Sequence, residues 1–102
     1  MNGVHKETKA TMLSQTVKQA VYTRDNGRCV LCGAQGAPNA HYIPRSHGGR
    51  GIEQNIVTLC CNCHRRYDQT ADRAWIRQKL SIYLQSRYTD WNENELTYKK
   101  GI

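Results

Sequence analysis

Phenylalanine is absent from the 102 residues, and aromatics make up only 8% of the chain. With 38% hydrophobic residues, such a chain builds a thin core and calls for an added staple, a metal or a disulfide. Long apolar runs are also missing. Stretches such as Ile56-Val57 with Leu59 are short. A bilayer-spanning helix needs about 20 consecutive apolar residues, so a transmembrane helix is excluded. The first thirteen residues carry His5, Lys6, Glu7 and Lys9 with no apolar block, so no secretory signal is expected. A cytoplasmic location follows, where structural disulfides rarely persist. Acidic residues are scarce as well: eight Asp+Glu against fifteen Lys+Arg give a net charge of +7. That balance points to a polyanionic partner, and in the cytoplasm this means nucleic acid. The length has room for one domain.

No repeat or low-complexity segment interrupts the chain. Residues 1–13 read as a loose basic arm and 14–102 as a single domain, with a core over 24–68 and a helical part over 70–98. Ser14 is a good N-cap for a helix carrying Val17, Ala20, Val21 and Arg24 at helical spacing, ending near Asn26-Gly27. A loop with Gly36 and Pro38 leads to a strand over Ala40–Ser46, closed by Gly48-Gly49-Arg50-Gly51. Asn55–Leu59 reads as a second strand, and a short helix follows from the second cysteine pair to about Asp68. Thr70 caps a last helix with Trp75, Ile76, Leu80, Tyr83, Leu84 and Tyr88 on its apolar face. Trp91, Leu96 and Tyr98 fold the tail back onto that helix.

Four of the five cysteines form two C-x-x-C hooks, Cys29/Cys32 and Cys60/Cys63. A two-residue spacer lets both thiolates of a hook reach one tetrahedral ion at about 2.3 Å. Two hooks complete a closed structural Zn²⁺ site. A thiol redox centre, paired disulfides and an iron–sulfur cluster also use such spacings, but zinc fits a basic chain with a small core better. Cys61 is left pointing away from the metal. Residues 33–59 lie between the hooks. This insert is longer than the spacing of roughly 15 to roughly 20 usual in four-cysteine zinc sites.

That insert holds Ala40-His41-Tyr42-Ile43-Pro44-Arg45-Ser46-His47-Gly48-Gly49. It is followed by Asn55-Ile56-Val57-Thr58-Leu59-Cys60 and by Cys63-His64. With Cys29-x-x-Cys32-Gly33 in front, the string resembles the HNH endonuclease family over residues 24–68, with His41, Asn55 and His64 at the three signature positions. Residues 69–102 look like the C-terminal part of small bacterial and phage-encoded members. The resemblance implies an α+β fold: a treble-clef-like ββα-metal unit stapled by four cysteines and flanked by N- and C-terminal helices. It implies a base at His41, a loop anchor at Asn55 and a metal ligand at His64, and it matches Asp68 to a further ligand of some members. It also implies a bacterial or phage-infected cell as the setting. Many members carry a metal-binding Asp or His just before the base, where this chain has Ala40.

The residue chemistry is consistent with those roles. Phosphodiester hydrolysis needs a base for water, a cation at the phosphorane and a proton for the leaving oxygen. Histidine, with an ordinary pKa near 6.5, suits the base. His64 and Asp68, four apart on a helix, share one face and can hold Mg²⁺ or Mn²⁺, with Ni²⁺ or Zn²⁺ as alternatives. Asn55 would bond backbone across the loop and so fix the orientation of His41. Arg45, Arg50, Arg65 and Arg66 supply guanidinium forks for phosphate, and His47 is a loop or phosphate contact. The expected function is metal-dependent cleavage of DNA, alone or within a larger nuclease or packaging assembly. The alternative is a non-catalytic zinc-stapled nucleic-acid-binding module, which would need no His41–Asn55–His64 set.

Overall fold

The computed structural model describes residues 6–99. They fold as α1 (Lys6–Thr11), α2 (Gln15–Asp25), β1 (Ala37–His41), β2 (Ile56–Leu59), α3 (Cys61–Gln69) and α4 (Arg73–Arg87). Short 3-10 turns lie at Arg45–His47, Glu53–Asn55 and Glu93–Glu95. The architecture is α+β, with one antiparallel β1–β2 pair laid against helices. Of the segment read as a loose arm, residues 1–5 lie outside the described residues. Residues 6–11 form α1, and Thr11 at its end is 3% exposed.

Local chemistry sets the boundaries. The Ser14 hydroxyl accepts the Val17 N–H at 3.2 Å and starts α2, the usual work of an N-cap serine. Asn26 (φ 56°) and Gly27 (φ 66°) end it in the left-handed region, as helix C-termini commonly do. The first strand is shifted from its expected place: it runs Ala37–His41 rather than Ala40–Ser46. Pro44 explains the shift, because it has no N–H to give a ladder and opens the Arg45–His47 turn instead. Ala40 pairs with Val57 and His41 with Ile56, and an irregularity between Ala37 and Ala40 lets Pro38 sit within the strand.

The last helix starts later than expected. Thr70 ends α3, donating its hydroxyl to the Arg66 carbonyl at 2.7 Å and accepting the Asp72 N–H at 3.1 Å. The chain therefore turns at Thr70–Asp72, and α4 begins at Arg73. Ile76, Leu80 and Leu84 form the buried face of α4. Trp75, expected on that face, is instead 42% exposed and stacks under Arg66 and Lys79 at 5.4 and 5.7 Å. The core joins these α4 residues to Ala40, Val57, Leu59, Cys63, Tyr67 and Leu96. The tail returns to the β1–β2 connection as well as to α4. Trp91 Nε1 donates to the Gln54 carbonyl at 2.8 Å, and Tyr98 N–H to the Gly48 carbonyl at 2.7 Å.

Candidate active site and metal centre

The connection between β1 and β2 is long, and a single buried side chain ties it together. Asn55 is fully buried. Its Oδ1 accepts the Ile43 N–H at 2.8 Å, and its Nδ2 donates to the carbonyls of Ile43 (3.2 Å) and Arg50 (2.9 Å). The Asn55 carbonyl accepts the Tyr42 N–H at 2.7 Å. Four hydrogen bonds thus pin both ends of the loop directly after His41, the anchoring expected of Asn55. Glycine is needed at position 49, where a Cβ would lie 1.7 Å from the Ile43 carbonyl oxygen.

The two cysteine hooks meet at one end of the sheet. The Sγ atoms of Cys29, Cys32, Cys60 and Cys63 all lie within 4.8 Å of one another, with Cys32 and Cys60 at 3.6 Å. A tetrahedral zinc with bonds of about 2.3 Å places its sulfurs about 3.8 Å apart, so the four thiols fit that ion. Burial resists ionisation of Cys29, yet backbone N–H groups from Cys60, Cys32 and Leu31 outweigh it and bring the thiol down to about 7. Such lowering is what makes a cysteine a thiolate ligand. Burial and the neighbouring thiols of Cys60 and Cys29 push Cys63 up. A cation bound among the four sulfurs would favour their thiolate forms. The Cys60 sulfur also accepts the Cys63 N–H at 3.4 Å and so caps α3. Cys61 is exposed and stands outside this group.

Next to the zinc site, β1, the Arg45–His47 turn, α3 and the start of α4 enclose a cleft of about 460 Å³. Asn39, His41, Pro44, Arg45, Ser46, His47, His64, Asp68 and Arg73 line it. His64 Nε2 lies 3.3 Å from Asp68 Oδ2, as side chains four apart on a helix should. Neighbouring ligands of an octahedral ion with bonds of about 2.1 Å sit about 3 Å apart, so this pair would suit two adjacent positions of a Mg²⁺-like ion. Ala40 is fully buried and offers no ligand atom. Among the described residues, the four cysteines are the one cluster of three or more His, Cys, Asp or Glu. The His64–Asp68 pair would therefore bind an ion with water and phosphate completing the shell.

His41 Nε2 is hydrogen-bonded to the Thr11 carbonyl at 3.1 Å. Burial lowers its pKa below 6.5; the Thr11 carbonyl opposes this, and Arg45 and His64 add to it. The shift favours the neutral imidazole, the form able to take a proton from water.

The fold gathers His41, His64, Asp68, Arg45 and His47 in the cleft and leaves three of the named arginines outside it. Arg50 turns to the tail, with its Nη1 on the Glu95 carbonyl at 3.1 Å. Arg66 pairs with Asp72 at 3.1 Å, and Arg65 is exposed on α3 away from the cleft lining. Arg73 and Asn39 line the cleft without having been singled out there by the sequence. Arg73 Nη1 donates to the Tyr67 carbonyl at 3.0 Å, and its guanidinium lies 4.4 Å from the Tyr67 ring centroid. Its signal was its place in the first turn of α4, which appears once that helix is seen to begin at Arg73.

A sequence model for HNH endonuclease matches residues 29–80, which span both hooks and every protein group in the cleft. No curated protein matches the chain.

Proposed function

The chain belongs to the HNH endonuclease family, and from that premise we propose that it is a metal-dependent endonuclease of DNA, working in the cytoplasm of a bacterial or phage-infected cell. The observation that carries this reading is the convergence of His41, His64 and Asp68 in one basic cleft beside Arg45 and Arg73. A zinc-binding module with no catalytic role has no need of a neutral imidazole facing a two-ligand ion site.

In this reading His41 takes a proton from the attacking water, which its lowered pKa makes possible at neutral pH. Asn55 keeps the loop after His41 in place, so the imidazole stays aimed at the cleft. His64 and Asp68 hold the divalent ion, Mg²⁺ or Mn²⁺. When bound, that ion would supply the charge that stabilises the phosphorane and the leaving oxygen. Arg45 and Arg73 bind non-bridging phosphate oxygens through their planar forks. Zinc at the four cysteines has no open position and serves only the fold. Arg50, Arg65 and Arg66 contribute to the wider basic surface that meets the DNA backbone.

Two variants separate the roles. His41→Ala removes the base but no ligand, so DNA and metal binding survive while single-turnover cleavage falls about 10²–10⁴-fold. His64→Ala removes a ligand, so raising Mg²⁺ or Mn²⁺ restores part of its activity. Cleavage by His41→Ala at the parent rate, or its full recovery with added metal, would remove His41 from the role of base.

A further inference from the structure

Thr11 lies outside the residues that the family model matches, yet it is 3% exposed and in direct contact with the cleft. Its carbonyl faces His41 Nε2 at 3.1 Å. Its hydroxyl accepts the Arg45 Nε–H at 3.3 Å. One residue earlier, the Ala10 carbonyl accepts the Gly51 N–H at 3.0 Å, and the Met12 carbonyl passes so close to Gly51 that a Cβ there would meet it at 2.0 Å. The end of α1 and the residue after it are thus clipped to the β1–β2 connection on one side and to the imidazole on the other.

A carbonyl oxygen can only accept a hydrogen bond, so the nitrogen facing it carries the proton. In a neutral imidazole the second nitrogen then holds the lone pair. We propose that Ala10–Met12 is a working part of the active site, in which the Thr11 carbonyl holds the proton on His41 Nε2 and leaves Nδ1 to activate water. Thr11 is a positioning residue: it acts on the substrate through His41. The site of this chain is therefore completed by a segment N-terminal to the zinc hooks. The catalytic consequence rests on the nuclease reading above; the tautomer does not.

The test uses the zinc-loaded full chain with ¹⁵N-labelled histidine. Long-range ¹H–¹⁵N correlation spectra show which ring nitrogen is protonated, and His41→Ala identifies the His41 signals. The parent protein is expected to show His41 as the Nε2–H tautomer. Gly51 is not at positive φ, so Gly51→Ala acts through its methyl group alone, a wedge that must push the Met12 backbone away. Gly51→Ala should keep its zinc, turn the His41 signals into a mixture of tautomers and lower kcat for DNA cleavage about 10–100-fold, with KM little changed. Thr11→Val keeps the carbonyl and so keeps the tautomer. An Nδ1–H signal in the parent overturns the proposal, and this reading stands even if Gly51→Ala does not fold. Unchanged tautomer and kcat in folded Gly51→Ala overturn it too, and faster cleavage would make the segment a cover on the base instead of its support. A parent that cuts no DNA removes the nuclease reading, while the tautomer in parent and variant still decides this one.

Discussion

The imidazole of His41 is set by groups from three other parts of the chain, the end of α1, the Arg45–His47 turn and α3. Burial in the cleft wall disfavours its charged form, the Thr11 carbonyl favours it, Arg45 and His64 disfavour it, and Asp68 favours it. The balance lies below the ordinary 6.5. A base works in its deprotonated form, so single-turnover cleavage should climb with pH below 6.5 and be level by neutrality. A rate still climbing from pH 7 to 8 would mean that a group other than His41 limits the reaction. At this scale the hook spacing made the four-cysteine cluster legible, and the string of neighbours put His41, Asn55 and His64 forward as the residues to test. The sequence was silent on Thr11, whose part depends on a carbonyl reaching across to β1. It could not say which way the long side chains of Arg50 and Arg66 turn, because closeness in sequence to the site does not decide that. Arg50 is held by the tail and Arg66 by Asp72.

Between elements, one buried ion pair joins α2 to β2 and α4. Arg24 uses all five of its N–H donors. Nε and Nη2 lie on the Asp25 carboxylate, Nη2 also on the Ile56 carbonyl, and Nη1 on the Glu53 carbonyl and the Tyr88 hydroxyl. Asp25 also accepts the Thr58 N–H at 3.0 Å and the Tyr83 hydroxyl. Burial raises the Asp25 pKa, but the hydrogen bonds from Arg24 and Tyr83 win and hold it below 3.8. A carboxyl whose native pKa is depressed stabilises the fold above its unfolded value and loses that contribution as pH falls below it. The contribution of Asp25 is therefore complete at neutral pH and is lost from about pH 3.8 downward. Asp25→Asn leaves Arg24 buried without its counter-charge and should cost about 3–5 kcal/mol, read from urea unfolding of the zinc-loaded protein at pH 7. A cost under about 1 kcal/mol would place the network at the level of a surface pair. The helical period put Arg24 on α2 correctly but could not assign it this task. Periodicity reports one element at a time, and the partners of Arg24 come from the Glu53–Asn55 turn, β2 and the residue after α4. The early end of β1 and the late start of α4 have the same origin. In each case a local competitor, Pro44 or the Thr70 hydroxyl, decides the boundary against the apolar pattern.

For the molecule as a whole, the zinc hooks take the place of a large core. They bracket residues 33–59, the stretch that carries β1, the Arg45–His47 turn and β2, so an ion shared by both hooks would tie that stretch to the start of α3. Structural zinc sites contribute on the order of 10 kcal/mol to folding. Replacing Cys29, Cys32, Cys60 or Cys63 by serine should therefore abolish cooperative melting and zinc retention, whereas Cys61→Ser should retain both. Elemental analysis reading less than one zinc per folded chain would contradict the four-thiol site. The α+β class, the order of the elements from α2 to α4 and the four-cysteine staple were legible from hook spacing and hydrophobic pattern, because each is written in contiguous sequence, whereas α1 lay in the segment read as a loose arm. The joining of the N-terminal segment and of the tail to the β1–β2 connection was not, since each of those contacts uses a backbone carbonyl or N–H on at least one side or pairs residues more than thirty positions apart, and neither leaves a pattern in contiguous sequence. The central claim is that this assembly cuts DNA with a divalent ion. Its most direct test is supercoiled plasmid incubated with the zinc-loaded protein, with Mg²⁺ or Mn²⁺ or neither. Nicked or linear product that needs the added ion and is lost in His41→Ala is the result predicted; plasmid that stays supercoiled with either metal, in the presence of folded protein, would contradict it.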